Sequence, residues 1–512
     1  MSTIHIPEDI LCHIFSFLDF KDLLRCSAAC EIYKDTIDDS SLLQCKIELG
    51  AQRMVSLPGA SKIPASELYE LLWKREQVWY YFGWRRFSSH TVGLPPGRIP
   101  FVSTAGGLIS LWDGRLGEVY ELPADLSERS TELQLRRTHT HPGHLDVRGV
   151  AIDPSQDLSV LVTFAPPTAN YTYDLHLKTI NTNEPHPLAG KSHLASATRL
   201  QDWPYRVRVR ILGPVIAFLP LVLSEVPERC FSGHVLQTWN WKEPGATGRK
   251  LVNPKMLDFC FLTVDAILVL LATGVIEVYS SNELEFTCIA RYALPKVRQG
   301  FVCSPGGGGT ISCNAPYLST LPWTTSLAES YPLPFYPDSQ ERICAITFGH
   351  VFFIDMRVFF SSHGVYSTQL GVSGALTRPW ASWGPQNSRC FPSDWPFGVF
   401  GSKAVGIYRV GHKTAPFRLK LREFNPYLLR RNDSGESGRS WVVTSPSTIS
   451  ANHAFAEDVT TCLPYREAIG GWEWFDDLED TFEMSVDDSR VVIVKAEGSG
   501  PQITTILATF TF

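Results

Sequence analysis

The chain has 512 residues, of which 44% are hydrophobic and 19% charged, and its formal net charge is -6. This much apolar material can fill a buried core, which excludes general disorder, and the length allows about two to four domains. A net negative charge gives no basic field for gripping phosphate backbones, so we expect no nucleic-acid partner.

The sequence offers no segment that should enter a membrane. Its most apolar run, AILVLLATGVIEVY from Ala266, is bracketed by Asp265 and Glu277 and falls short of the ~20 apolar residues that a span needs. Glu8 and Asp9 stand where a secretory signal would carry basic and then apolar residues. We therefore expect a soluble intracellular protein, cytoplasmic and/or nuclear, without a membrane partner.

Neither a metal nor another cofactor is predicted. Twelve cysteines are spread along the chain without a CxxC pair or a histidine at zinc-ligand spacing, so we expect reduced, buried thiols. His139, His141 and His144 lie close together, but no carboxylate or cysteine completes a metal site with them. The glycine-rich SPGGGGT, from Ser304, lacks the Lys-Ser/Thr of a P-loop.

Residues 4–50 carry a helical pattern. Pro7 suits a first helical turn, and Glu8 and Asp9 favour the positive end of the helix dipole. Apolar residues then recur at steps of three and four, and Asp19 can cap a second helix. The residues of this apolar face in the first helix are Ile10, Leu11, Ile14, Phe15 and Leu18. A third short helix should bury Cys30, Tyr33 and Ile37.

Residues 51–89 read as a connector followed by a linker helix. Pro58, Gly59 and Pro64 break the pattern, and Ser66 is a suitable N-cap for the helix SELYELLWKREQVWYYFGW. The aromatic block that begins at Trp79 is too apolar to stay in water. We expect it to dock this helix onto the domain that follows.

Residues 90–512 are rich in short β-type runs separated by turns, which favours a large all-β domain. A polar turn before an apolar run recurs at gaps of 56, 52, 84, 53 and 87 residues, with the two longer gaps holding an insertion or a further repeat. These turns lie near Asp157, Gly213, Asp265, Gly349, Ser402 and Ser489. Because propeller blades repeat at roughly 40–50 residues, we predict a β-propeller of about seven blades. The fold class is therefore α+β multi-domain, with a small all-α unit before the β domain.

The N-terminal segment resembles an F-box. It reads IPEDILCHIFSFLDFKDLLRCSAACEIYKDTIDDSSLL, and F-boxes share its Pro, acidic pair, apolar helix face, acidic-Leu-Leu step, Cys and aromatic residue. Ile6 replaces the usual Leu, Tyr33 the usual Trp, and Leu43 a Trp often found after the last Leu. These replacements keep apolar volume. The resemblance assigns residues 1–50 to an F-box, and the alternative is an ordinary amphipathic helical hairpin.

This resemblance implies a partner. A unit of three short helices buries its own apolar face poorly, and in F-box proteins the remaining face binds a Skp-type adaptor that links to a cullin–RING ubiquitin ligase. The sequence does not separate adaptor-facing residues from interior ones. The candidates are Pro7, Ile10, Leu11, Ile14, Phe15, Leu18, Leu23 and Leu24.

Later segments resemble a large group of fungal F-box proteins with a divergent, propeller-like C-terminal region. The similar motifs are CKIELGAQRMV, ELYELLWKREQVWYYFGW, HVLQTWNWKEPG, and LPYREA followed by EMSVDDSRVVIV. The TWNWK run, from Thr238, is similar to the strand end of WD-type blades, where a Trp packs between blades. The alternative is a plain β-strand with a buried Trp.

A Pro/Trp-rich loop that begins at Arg378 has the composition of an interaction hot spot. The substrate-binding candidates in it are Trp380, Trp383, Arg389, Phe391 and Trp395. The alternative is that these aromatic residues cover blade edges. The acidic stretch from Gly471 to Asp488 would suit a basic ligand, but its composition favours a solvated acidic loop.

These features predict a substrate-recognition adaptor of an SCF-type ubiquitin ligase, which binds an unknown protein substrate and contributes no catalytic residue. Its contribution would be proximity, because it raises the effective concentration of substrate near activated ubiquitin. One alternative is a propeller-type carbohydrate-binding protein or glycoside-acting enzyme. Another is an F-box scaffold outside ubiquitin ligases.

Overall fold

A computed structural model of the chain describes residues 6–57, 62–83, 86–122, 134–140, 146–196, 204–223, 231–245, 248–281, 285–301, 309–316, 334–361, 375–392, 397–409, 417–431, 440–470, 481–498 and 502–511.

The chain begins with short helices packed around one small core. They are α1 (Glu8–Phe15), α2 (Phe20–Ser27), α3 (Glu31–Asp39) and α4 (Ser41–Ala51). Asp19 caps α2 as predicted, because its carboxylate accepts the backbone N–H of Asp22 at 2.8 Å. The core consists of Leu11, Phe15, Leu23, Ile37 and Leu43. Cys30 is exposed, contrary to the expectation that the third helix buries it.

Helix α5 (Ala65–Tyr81) connects this unit to the β domain. Its N-cap is Pro64 and not the predicted Ser66, which lies in the first turn of the helix. Trp79 and Phe82 are buried against Phe400 and Val491 of the β domain. The prediction that the aromatic block docks this helix is therefore confirmed.

The β domain is a propeller of seven four-stranded blades, as the repeat spacing predicted. Blade 1 contains β3 (Phe101–Ala105), β4 (Leu108–Asp113), β5 (Leu116–Glu121) and β6 (Gln134–Thr140). Blade 2 contains β7 (Val147–Asp153), β8 (Leu158–Phe164), β9 (Tyr173–Thr179) and β10 (His193–Ala195). Blade 3 contains β11 (Pro204–Leu212), β12 (Val215–Leu223), β13 (Phe231–Asn240) and the first half of β14 (Arg249–Thr263).

The second half of β14 opens blade 4, which continues with β15 (Ala266–Leu271), β16 (Val275–Ser281) and β17 (Phe286–Ala293). Blade 5 contains β18 (Thr310–Ser312), β20 (Ile343–Phe348), β21 (His350–Asp355) and β23 (Ser388–Phe391). Blade 6 contains β24 (Phe397–Phe400), β25 (Lys403–Arg409), β26 (Phe417–Glu423) and β30 (Tyr465–Gly470). Blade 7 contains β31 (Thr481–Val486), β32 (Arg490–Glu497), β33 (Thr504–Thr511) and β2 (Arg86–Thr91).

The remaining elements lie in connections. They are β1 (Met54–Ser56), which pairs with β19 (Phe335–Pro337); β22 (Thr377–Arg378); α6 (Trp380–Asn387); α7 (Pro426–Arg431); β27 (Ser440–Val443); and the hairpin of β28 (Ser447–Ile449) and β29 (Val459–Thr461).

The ring closes by pairing the two ends of the β domain. Strand β2 pairs antiparallel with β33, from Arg86 opposite Thr511 to Thr91 opposite Ile506. Blades 3 and 4 are joined differently, because Met256 in β14 pairs both with Gly233 of β13 and with Leu271 of β15. The edge of β33 is therefore covered by β2, which becomes the outermost strand of blade 7.

Most of the repeat marks fall on equivalent turns. The turns between the first and second strands of blades 2, 3, 4, 6 and 7 hold Asp157, Gly213, Asp265, Ser402 and Ser489. Gly349 differs, since it lies between the second and third strands of blade 5. The two long gaps contain insertions, over residues 313–342 in blade 5 and 424–464 in blade 6. They do not contain a further blade.

Packing between blades is carried by aromatic side chains. Trp239 and Trp241 of the TWNWK run are buried in a cluster with Val160 and Leu175 of blade 2. The Trp241 indole N–H donates to the Gly213 carbonyl at 3.0 Å. The predicted position of Trp between two blades is confirmed.

The helices dock on one face of the propeller. Because strands alternate in direction within a blade, the turns after the first and third strands share one face. Three contacts with the helices come from such turns: Arg75 contacts Asp488 in blade 7, Phe20 contacts Tyr427 in blade 6, and Arg53 contacts Glu341 in blade 5. We call this side the docking face and the opposite side the far face. Within the described parts of the chain, no helix is long and apolar enough to cross a membrane.

Candidate functional site in the N-terminal helices

Helix α1 carries two apolar stripes with different environments. At about 100° per residue, Ile10 and Ile14 lie on one side and Leu11 and Phe15 on the neighbouring side. Leu11 and Phe15 are 5% and 4% exposed, whereas Ile10 and Ile14 are 51% and 47% exposed. One stripe therefore builds the core of the helical unit, and the other faces outward, half-exposed among the residues that the structure describes.

The outward stripe extends past both ends of the helix. Pro7 is exposed one turn before Ile10, and Phe17, three residues after Ile14, is 75% exposed. We call Pro7, Ile10, Ile14 and Phe17 the outward stripe. Leu24 adds an exposed apolar side chain on α2. Large apolar side chains grouped on one exposed surface are typical of a protein-binding site.

The structure divides the residues that the sequence proposed for adaptor binding. Leu11, Phe15 and Leu23 are buried and hold the helices together, and Leu18 is half-buried beside them. Pro7, Ile10, Ile14 and Leu24 are exposed. Sequence reasoning missed Phe17, although its spacing from Ile10 and Ile14 is that of one helix face.

Two of the three unusual residues of the motif pack in or against the core, whereas Ile6 is exposed. Tyr33 packs edge-on against Phe15, with 5.3 Å between ring centroids, and Leu43 is fully buried. Both residues stand where the usual pattern has a Trp, and both pack with the core of the helical unit. Neither replacement alters the outward stripe.

Comparison with known families identifies this unit. Residues 3–45 match the F-box-like family model. No curated protein matches the chain by sequence.

Three of the solved structures that are similar to the chain illustrate the match. They are the WD40 domain of coronin from Toxoplasma gondii (8% identity, 84% of this chain and 87% of that chain, TM-score 0.38), the N-terminal domain of Nup159 (10% identity, 83% and 96%, TM-score 0.33) and the β-propeller domain of Cps50 (Swd1) from Myceliophteria thermophila (7% identity, 83% and 100%, TM-score 0.38).

The F-box is attached to the propeller through buried charged groups. The Arg75 guanidinium on α5 lies 2.5 Å from the Asp488 carboxylate, and both side chains are 6% exposed. Arg75 also donates to the Gln52 side chain at 2.8 Å, which links α5 to the end of the F-box helices. The Trp79 indole N–H donates to the Asp488 carbonyl at 2.7 Å. This arrangement fixes α5 as a strut between the two domains.

Further contacts from blade 6 support the strut. Arg466 donates to the Tyr80 carbonyl at 2.7 Å, and Asn425 donates to the Ala51 carbonyl at 2.7 Å. Beside them Lys403 and Glu423 form an ion pair at 2.8 Å, with side chains 3% and 1% exposed. The outward stripe of the F-box is therefore held at a defined position relative to the propeller.

Two of the substrate-binding candidates are engaged inside the fold. Trp383 is 3% exposed, and its indole N–H donates to the Ala293 carbonyl at 3.1 Å. Arg389 is 2% exposed, donates to the Ser445 carbonyl at 2.9 Å and lies over the Tyr465 ring at 5.0 Å. These contacts match the alternative that the loop residues cover blade edges.

The other candidates are less enclosed. Trp380 is half-buried against Trp383 and Phe352, and Phe391 is half-buried beneath the Arg422 guanidinium at 3.7 Å. Trp395 lies outside the described residues, as does most of the acidic stretch from residue 471. A substrate role for this group stays a prediction.

A cavity of about 480 Å³ lies at the propeller axis, where the first strands of the blades meet. Arg208 and Arg210 of β11 enter it and lie 3.7 and 3.6 Å from the Asp258 carboxylate. Desolvation by the surrounding protein raises the pKa of Glu483 to about 7, against the opposing charges of Arg208 and Arg210, although the residue is exposed. The cavity thus pairs opposite charges rather than presenting a field of one sign.

The described residues contain no group of three or more His, Cys, Asp or Glu side chains placed to hold a metal ion. His139 is buried, and its Nε2 lies 2.8 Å from the Ile180 carbonyl. His141 and His144 lie outside the described residues.

Proposed function

We propose that this protein is a substrate adaptor of an SCF-type ubiquitin ligase, in which the outward stripe of the F-box binds a Skp-type adaptor. The observation that carries the proposal is the exposure of Ile10, Ile14 and Phe17 on an F-box-like unit that has already buried a separate core. A partner that covers these side chains would gain about 25 cal/mol for each Å² of apolar surface removed from water.

The propeller supplies the second half of this proposal. Because the described residues of the F-box and α5 contact the docking face, we assign the protein substrate to the far face. The strut between Arg75 and Asp488 would hold that substrate at a set distance from the adaptor. The chain itself would position the substrate and would contribute no catalytic group. We place this activity in the cytoplasm and/or nucleus. The resemblance to fungal F-box proteins with propeller-like C-terminal regions is part of the same proposal.

Capture of the adaptor tests the proposal. Full-length wild type and an Ile14→Arg variant are incubated with purified Skp-type adaptor and cullin, and the retained proteins are measured. Leu376→Arg is the matched control, because Leu376 is 81% exposed in the β domain, away from the F-box. We expect wild type and the control to retain both partners and Ile14→Arg to retain neither.

Equal retention by all three chains, with circular dichroism spectra unchanged, would show that the outward stripe is not the adaptor site. Retention of the adaptor without the cullin would instead favour an F-box scaffold outside ubiquitin ligases.

A further inference from the structure

Two cysteines lie on neighbouring segments of blades 4 and 5, beside the central channel. Cys260 lies on β14, the first strand of blade 4, and Cys313 directly follows β18, the first strand of blade 5. Two residues earlier on each segment, the Ile311 backbone N–H donates to the Asp258 carboxylate at 3.0 Å. Cys313 also packs against the core cluster that contains Cys260, so the two cysteines are neighbours where blades 4 and 5 meet.

The two thiols interact and differ in exposure. Each thiol shifts the pKa of the other, that of Cys260 upward and that of Cys313 downward, and neither cysteine forms a disulfide. Cys260 is 1% exposed, whereas Cys313 is half-buried and lines the cavity of about 480 Å³. A small molecule in the channel would therefore meet Cys313 first.

Positive charge surrounds Cys313. Arg342 is fully buried, and its guanidinium donates to the carbonyls of Ser339, Phe261 and Asn314. Among the described residues no carboxylate forms an ion pair with it. The neighbouring Cys260 thiol lowers the pKa of Cys313 to about 6, against burial, and the charges of Arg342 and Arg210 act in the same direction. Asp258 opposes them, since its carboxylate is also close.

A third cysteine provides a contrast. Cys344 of β20 is fully buried in the same core cluster as Cys260 and does not line the cavity. The pKa of Cys344 lies well above the ordinary value, mainly because the thiol is buried and to a smaller extent because Cys313 is near. Cys344 therefore has neither the access nor the charge state of a reactive cysteine.

We propose that Cys313 is an oxidation site for small hydroperoxides and that Cys260 resolves the oxidised form as a disulfide between blades 4 and 5. The Cys313 thiolate attacks one peroxide oxygen, the O–O bond breaks, and hydroxide or alkoxide leaves, so that Cys313 becomes a sulfenic acid. The Cys260 sulfur then attacks the Cys313 sulfur, and its proton leaves with the hydroxyl group as water. Two thiols and one hydroperoxide give one disulfide, one alcohol or water, and a second water.

Alkylation of the reduced full-length protein tests the thiolate. Iodoacetamide labelling of Cys313 is followed by peptide mass spectrometry from pH 5 to pH 9, beside a cysteine-containing reference peptide whose thiol titrates near ~8.5. We expect half-maximal labelling of Cys313 near pH 6, more than one pH unit below the reference. A midpoint equal to or above that of the reference would overturn the proposal.

Hydrogen peroxide tests the resolving step. We expect a disulfide-linked peptide pair containing Cys260 and Cys313 in wild type and in Cys344→Ser. In Cys260→Ser we expect Cys313 to stop at the sulfenic acid, which dimedone traps, and in Cys313→Ser we expect no linked pair. Wild type that keeps its native circular dichroism spectrum and forms no such link would contradict the proposal.

Discussion

Arg75 of helix α5 and Asp488 of blade 7 form a buried ion pair across the junction between the F-box and the propeller, with 2.5 Å between Arg75 Nη2 and Asp488 Oδ1. The two residues are 413 positions apart in the chain. Removing one partner of such a pair leaves the other as an uncompensated buried charge. The junction between the F-box and the propeller is therefore a packed interface and not a flexible linker.

Replacing Arg75 should weaken this joint. We expect Arg75→Ala to lower the free energy of unfolding by about 3–5 kcal/mol, because Asp488 then lies buried without a cation. Urea denaturation followed by fluorescence measures the change. The control is Lys74→Ala on the same helix, whose partner Glu70 is 3.6 Å away with both side chains more than half exposed; it should change stability little. Equal effects of the two substitutions would contradict the account.

Acid should weaken the neighbouring pair of Lys403 and Glu423. Burial alone would raise the pKa of Glu423, but Lys403 and the N–H of Asn425 outweigh it, so the pKa lies below the ordinary value. A carboxyl group whose pKa is lowered by folding stabilises the protein above its unfolded pKa of about 4.5, and this stabilisation is lost as pH falls through the folded pKa. The stability of wild type should therefore fall below about pH 4.5.

Glu423→Gln tests this assignment. At pH 7 we expect it to lower the free energy of unfolding by about 3–5 kcal/mol, because Lys403 loses its anion. The difference from wild type should shrink below pH 4.5, where Glu423 itself becomes protonated. Glu457→Gln is the control, because its pair with Lys296 is exposed. A difference that stays constant from pH 7 to pH 3 would show that the charge of Glu423 is not responsible.

We expect the main role of Arg389 to be stabilisation of the fold and not contact with a substrate. Arg389→Ala leaves the carbonyls of Ser445 and Thr461 without their donor, and we expect a loss of about 1–3 kcal/mol. Thermal denaturation of the variant and of Lys191→Ala, an exposed control in blade 2, measures it. Unchanged stability would mean that the Arg389 side chain is dispensable for the fold and is free to serve a substrate.

Substitutions in the two stripes of α1 should differ in their effect on stability. We expect Leu11→Ala to lower the free energy of unfolding by about 2–5 kcal/mol through the cavity that it leaves in the core of the F-box. Ile14→Ala should change it by less than about 0.5 kcal/mol, because the side chain is already in water. Denaturation followed by far-ultraviolet circular dichroism compares them. Similar losses in both variants would show that the outward stripe is covered within the chain.

The F-box was predictable because local spacing encodes it. Pro7, the Asp19 cap and the apolar steps indicate these helices from local sequence. The division between interior and surface was not predictable, because Ile10 and Leu11 are both apolar and adjacent. Only the packing of the other helices decides which of the two faces the core.

The propeller was predictable in class and in blade number, but less so in register. Turns such as Gly213 and Ser402 repeat because each blade begins in the same way. Gly349 lies between the second and third strands of its blade, unlike the other marked turns. The sequence does not distinguish the two positions, because a polar turn precedes an apolar strand at both. The buried pair of Arg75 and Asp488 could not be anticipated, since nothing local links residues so far apart in sequence.

The central claim is that the outward stripe of the F-box binds a Skp-type adaptor, and an affinity measurement tests it most directly. The dissociation constant for purified adaptor is measured by titration calorimetry for wild type, the Ile10→Ala/Ile14→Ala double variant and Leu376→Ala. The account predicts wild-type affinity for Leu376→Ala and at least about a tenfold weaker affinity for the double variant, which corresponds to about 1.4 kcal/mol. A double variant that folds normally and binds the adaptor as tightly as wild type would contradict it.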